Sequence, residues 1–141
     1  MSDPHPPAEP GLPPDAFAAA FGIEVRTLGP GRTNASLKSG PEHANPHGTV
    51  HGVVLYAVAG AAIAAAGNDA TSSWMISTLT VDYLRPAQLG DLLSAEVELD
   101  ERTEREDLFV ARIFASGASG KELVARANAR GPRRPRAGRR R

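Results

Sequence analysis

The sequence predicts an α+β domain: a curved antiparallel sheet wrapped around one long buried helix. Three observations predict it. Val53 to Ala66 carries no charge and a single polar handle, Tyr56, and a helix that is apolar all round is a buried one. Four later stretches alternate apolar and polar residues, the period of half-buried strands. The 141 residues are enough for one domain with one core. Strands hide an all-round apolar helix only by curving around it, with a partner closing the other side. The helix spans roughly 21 Å at 1.5 Å per residue, short of the ~20 residues a bilayer needs. It reads as a core helix rather than a membrane span.

Taken in order, residues 1–14 contain six prolines and read as an unstructured or polyproline-like arm. Residues 15–129 read as a single domain. Asp15 caps a short helix that Gly22 stops, with Phe17, Ala20 and Phe21 on one face. Ile23 to Leu28 and Arg32 to Lys38 form a hairpin around Gly29-Pro30-Gly31. Gly40 to Gly48 is loop. The buried helix follows and ends near Gly67-Asn68. Strands are then expected over Trp74–Arg85, Asp91–Leu99, Leu108–Ser116 and Glu122–Arg130, with Gly117 to Gly120 as a hairpin connection. Trp74 and Tyr83 are expected in the core.

Charge divides the chain. Seven of the sixteen Lys and Arg lie in Arg130 to Arg141, leaving nine against sixteen acidic residues before them. Residues 130–141 are read as a disordered, solvated tail. Without aromatics such a tail attracts phosphate but reads no base sequence, so nucleic acid is not the expected partner. No cysteine is present, which excludes disulfides and thiolate chemistry. No secretory signal is visible, and the cytoplasm is expected.

Chemistry is expected where Asn45-Pro-His-Gly-Thr-Val-His-Gly52 enters the helix. Free backbone N–H groups at a helix start attract developing negative charge. Asn45 is either a turn former or a substrate ligand. His43, His47 and His51 are four apart, but Pro46 and Gly48 put them on a loop, so the spacing defines no helix face. No metal is expected there. The histidines are structural, or His47 or His51 serves as a base. Arg85 is a solvated strand end or a phosphate contact.

The pattern Asn45-x-x-Gly48-Thr-x-His51-Gly52, then a buried helix, then Thr80-Val-Asp-Tyr-Leu-Arg-Pro86, resembles the hotdog-fold acyl-CoA thioesterases. The likeness is strongest to the phenylacetate-pathway type and covers Phe21 to Ala129. It implies a hotdog fold whose protomers pair sheets edge to edge, with active sites at the dimer interface and dimers often pairing into tetramers. It implies that the Gly52 N–H polarises the thioester carbonyl. Asn45 would position the thioester or the water. His51 would orient the loop or hydrogen-bond near the carbonyl. His47, Val53, Ser77, Thr78 and Arg85 fall in the substrate-binding regions. No cofactor is implied beyond the CoA moiety of the substrate.

The sequence departs from that family at two points. Gly60 stands fifteen residues after Asn45, where the family carries an Asp or Glu that acts as nucleophile or base. Val53 replaces the second glycine of His-Gly-Gly. Losing a base costs ~10²–10⁴-fold, and a helix-interior glycine costs about 1 kcal/mol relative to alanine. Gly60 therefore marks a close backbone approach, room for a substrate group, or drift after lost activity. The expected function is hydrolysis of an acyl-CoA or an acyl carrier protein thioester. The alternative is a module that binds such a ligand without cleaving it, and a third reading is a dehydratase-like step or a structural role.

Overall fold

The computed structural model describes residues 14–136. Helix α1 is Ala16–Phe21, capped by Asp15, whose carboxylate accepts the Ala18 N–H at 2.9 Å. Gly22 closes it at φ 80°, in the left-handed region that favours glycine. Strands β1 (Glu24–Gly29) and β2 (Arg32–Lys38) follow. After a 3₁₀ turn at Pro41–His43 comes α2 (Gly52–Gly67), then β3 (Ser72–Trp74), β4 (Thr78–Tyr83), β5 (Leu92–Arg102), β6 (Glu106–Gly117) and β7 (Gly120–Pro135). The strands form one antiparallel sheet in the order β1-β2-β5-β6-β7, and the outer edge of β7 is shared by β4 and β3. The sheet curls around α2 as a hotdog fold, as expected. Among the described residues no helix is long and apolar enough to cross a membrane.

The alternation read from the sequence is what holds α2. Thr33, Ala35 and Leu37 of β2 are buried, as are Leu93, Ala95 and Val97 of β5. So are Phe109, Ala111 and Ile113 of β6 and Ala125, Ala127 and Ala129 of β7. In register, Ala35, Ala95, Ile113 and Ala125 form one row across four strands. Small residues on sheet and helix let the two approach until the Thr33 hydroxyl donates to the Ala62 carbonyl at 2.6 Å. Burying each Val, Leu, Ile or Phe side chain contributes about 1.5–3 kcal/mol.

The helix is not covered all round. Val53 is 63% exposed and Tyr56 44%, while Ala57, Gly60 and Ala64 are only half-buried. These residues recur at helical spacing and leave one apolar strip of α2 open.

Most strand ends shift by one to three residues from expectation, and two expected boundaries differ in kind. The strand expected over Trp74–Arg85 is broken at Met75–Ser77, and β7 runs to Pro135 through residues expected to lie in the solvated tail. One cause joins both. Gly131 lets the Met75 backbone cross it: a Cβ there would collide with the Met75 carbonyl oxygen. The Trp74 indole N–H donates to the Gly131 carbonyl at 2.8 Å, and its ring packs edge-on against Phe109 with centroids 4.9 Å apart. The Ser77 N–H and hydroxyl both donate to the Arg130 carbonyl, at 2.9 and 3.0 Å. Two residues on, Arg133 donates to the fully buried carboxylate of Asp107 and to the carbonyls of Thr103, Glu104 and Glu106. Arg102 completes the clamp, reaching both carboxylate oxygens of Asp107 at 2.8 and 3.1 Å. Residues 1–13 and 137–141 of the expected arm and tail lie outside the described residues.

Trp74 is buried, as expected. Tyr83 is not in the core: it is 52% exposed. Among the described residues strand β4 has a neighbour on one side only, and its last residue reaches past the sheet to the start of α2.

Candidate active site

The loop before α2 is organised by Asn45. Its side-chain oxygen accepts the N–H groups of His47 and Thr49, at 2.9 and 3.1 Å. Its amide donates to the Thr49 hydroxyl at 2.8 Å and to the Val50 carbonyl at 3.5 Å. Gly48 closes the turn at φ 83°. This is Asx-turn chemistry, and both functional groups of the Asn45 side chain are engaged in it. The loop is tied down by the Val50 N–H on Ala87 and the His51 N–H on His43, at 2.9 and 2.8 Å.

The helix start has four backbone donors to satisfy. His51 is the N-cap, and its Nδ1 accepts the Val53 N–H at 3.1 Å. The Val54 N–H donates to the His51 carbonyl at 2.9 Å. The Gly52 N–H has no acceptor among the described residues. A neutral imidazole that accepts at Nδ1 carries its proton on Nε2, so the network makes His51 a hydrogen-bond donor. In that tautomer the ring's free nitrogen is a donor at the helix start.

Tyr83 lies over this turn. Its hydroxyl donates to the Gly52 carbonyl at 2.9 Å. A Cβ on Gly52 would come within 3.2–3.3 Å of its ring and oxygen, so a side chain there would push the ring aside by a few tenths of an ångström. Burial, and secondarily Tyr56 nearby, raises the Tyr83 pKa above the ordinary tyrosine value, which keeps the phenol a donor. Helix start and strand end enclose a groove of about 350 Å³, lined among others by Asn45, Gly52, Leu55, Tyr83, Arg85 and Pro86.

The structure thus brings Asn45, Gly52 and Arg85 to one groove, with His51 beside them as the cap. His47 is exposed in the Asn45 turn, and Val53 is exposed at the helix start. Gly60 lies eight residues further, about 12 Å along the axis. Among the described residues a Cβ there would meet only the Leu79 Cδ2, at 3.7 Å, and no backbone approaches it closely. Thr78 begins β4, roughly 17 Å of strand from Tyr83; Ser77 precedes it, and its hydroxyl is already bonded to the Arg130 carbonyl. Within one protomer these two do not join the groove. Sequence reasoning missed Tyr83 as a site residue, although it sits inside the Thr80–Pro86 motif that carried the resemblance.

A larger hollow of about 600 Å³ opens beside the Gly117–Gly120 turn, with Lys38, Asp91 and Glu122 among its lining. The Lys38 ammonium there is bonded to the Gly90 carbonyl, and two carboxylates oppose an anion. The chemistry favours the groove at the helix start.

A long helix entered from a Gly-rich turn and wrapped by a curled antiparallel sheet defines a protein of the hotdog fold class. The chain belongs to the DUF4442 family, described as a domain of unknown function, whose model matches residues 15–130. It is 32% identical over 85 residues to the acyl-coenzyme A thioesterase PaaI of Escherichia coli. That match spans 60% of this chain and 61% of the relative. The solved structure of the Escherichia coli PaaI protein from the phenylacetic acid degradation operon superposes with a TM-score of 0.77 at 26% identity, covering 85% of each chain. A variant of the phenylacetic acid degradation protein PaaI from Thermus thermophilus superposes with a TM-score of 0.74 at 28% identity, covering 84% of this chain and 98% of that one.

Proposed function

We propose that the protein hydrolyses the thioester of an acyl-CoA, or of an acyl carrier protein, in the cytoplasm, as a homo-oligomer with its active sites at a dimer seam. The observation that carries this reading is the unpaired Gly52 N–H at the start of α2, in a groove shared with Asn45 and Arg85. In the proposed reaction the thioester oxygen accepts from the Gly52 N–H, with the His51 Nε2–H as a second donor. Water adds to the carbonyl carbon, and charge gathers on the oxygen facing those donors. The C–S bond then breaks, giving a carboxylic acid and a thiol. Preorganised donors of this kind are each worth ~10²–10³-fold in kcat. Arg85 supplies a cation at the rim for a phosphate of the CoA moiety.

The seam is supported by two open features. Among the described residues strand β4 has a free edge, and α2 leaves Val53 and Tyr56 exposed and Gly60 half-buried beside it. Pairing two β4 edges would cover that strip and bring Ser77, Thr78 and position 60 of a second protomer toward the groove. Position 60 then delivers no carboxylate. The expected rate is accordingly low, by the ~10²–10⁴-fold a missing base costs.

The test is free-thiol release by purified protein from short, long and aromatic acyl-CoAs. Turnover above buffer supports the reading, and none on any of them overturns it. Gly60 favours a second reading, a protein that binds the thioester without cleaving it. Melting curves raised by acyl-CoA with no thiol released select that alternative, since a ligand selective for the native state stabilises it.

A further inference from the structure

We infer that Tyr83 is a positioning residue: its hydroxyl and ring fix the Gly52 peptide so that the neighbouring N–H points into the groove. The inference rests on the proposed use of that N–H to polarise a carbonyl. Glycine is the residue with the widest choice of backbone conformation, so an N–H on glycine is a poor preorganised donor unless both flanking peptides are held. Here both are. The peptide before Gly52 is held where the His51 carbonyl accepts from Val54 at 2.9 Å. The peptide after it is held where the Gly52 carbonyl accepts from Tyr83 at 2.9 Å. The Tyr83 ring lies against the Cα face, 3.2 Å from where a Cβ would stand. Tyr83 is 31 residues away in sequence and belongs to the sheet, paired with Ala125 of β7. It therefore fixes the helix start relative to the strand that forms the other groove wall.

The experiment compares wild type with Tyr83→Phe, which keeps the ring and removes the donor. Two inert ligands are used. One is the ketone analogue of an acyl-CoA, with CH₂ in place of sulfur; the other is the thioether analogue, with CH₂ in place of the carbonyl. Wild type is expected to prefer the ketone. Tyr83→Phe is expected to lose about tenfold of that preference, the scale of one hydrogen bond, with thioether affinity held. In turnover, kcat falls by a similar factor while KM stays put. An unchanged ketone preference, a wild type with no preference, or equal loss of both ligands overturns the inference. Absence of thiol release with the ketone preference intact overturns the hydrolase reading and leaves the role of Tyr83 standing.

Discussion

Two glycines on α2 have opposite surroundings. At Gly52 a side chain would press on the Tyr83 ring; at Gly60 a Cβ would meet one methyl group at ordinary distance. Gly60→Ala is therefore expected to raise stability by about 1 kcal/mol, read from denaturant unfolding. A loss instead would mean that something outside the chain needs the space. Gly60→Asp restores the group the resemblance expects, and thiol release should rise by ~10²-fold or more. A fall from a measurable level would show that the substrate itself occupies that room. Tyr83 gives a pH signature. Its raised pKa means the folded state favours the protonated phenol, so its contribution is complete below the ordinary value near 10. That contribution is lost as pH rises through the higher folded value. Wild type should lose stability along this alkaline limb and Tyr83→Phe should not, a difference that melting curves on either side of pH 10 would register. Tyr56 of α2 and Arg85 of the groove are the neighbouring groups to hold constant.

The strands show what pattern conveys and what it leaves out. Period-2 alternation placed β5, β6 and the first part of β7, because one face is buried against α2 and the other is not. Pattern could not show that the Arg-rich end continues β7. That continuation depends on Asp107, buried 26 residues earlier in sequence, and on Gly131 making way for Met75. Arginine counted as charge looks solvated; Arg133, with four carbonyl and carboxylate partners, is not. Arg133→Ala is expected to cost about 2–3 kcal/mol, the scale of hydrogen bonds to a charged group, whereas a freely solvated residue would cost nothing measurable. Tyr83 was misplaced in the core for a related reason. Alternation gives a side chain's face, but it does not say that β4 is an edge strand. The turn at Asn45 and the cap at His51 were legible, since Asn-Pro and a helix-entry glycine carry local signals. The tautomer that makes His51 a donor was not, because it depends on which N–H the ring meets.

At the scale of the molecule, the proposed seam would cover the apolar strip on α2 and the β4 edge left open among the described residues. Sedimentation should find a dimer or tetramer, and Val53→Glu, at the most exposed end of the strip, should shift it toward monomer and lower thiol release together. A wild type that stays monomeric at micromolar concentration contradicts the seam. The claim beneath all of this is the donor at residue 52, and one comparison isolates it. Proline is tolerated at the first helical position, and His51, at φ −63° and ψ 134°, already has the extended backbone a following proline requires. Gly52→Pro therefore deletes the N–H within a helix that still starts in place. Gly52→Ala adds the same pressure on Tyr83 but keeps the donor. Thiol release from the best acyl-CoA should fall ~10²–10³-fold further in Gly52→Pro than in Gly52→Ala; equal activity in the two variants would contradict the account.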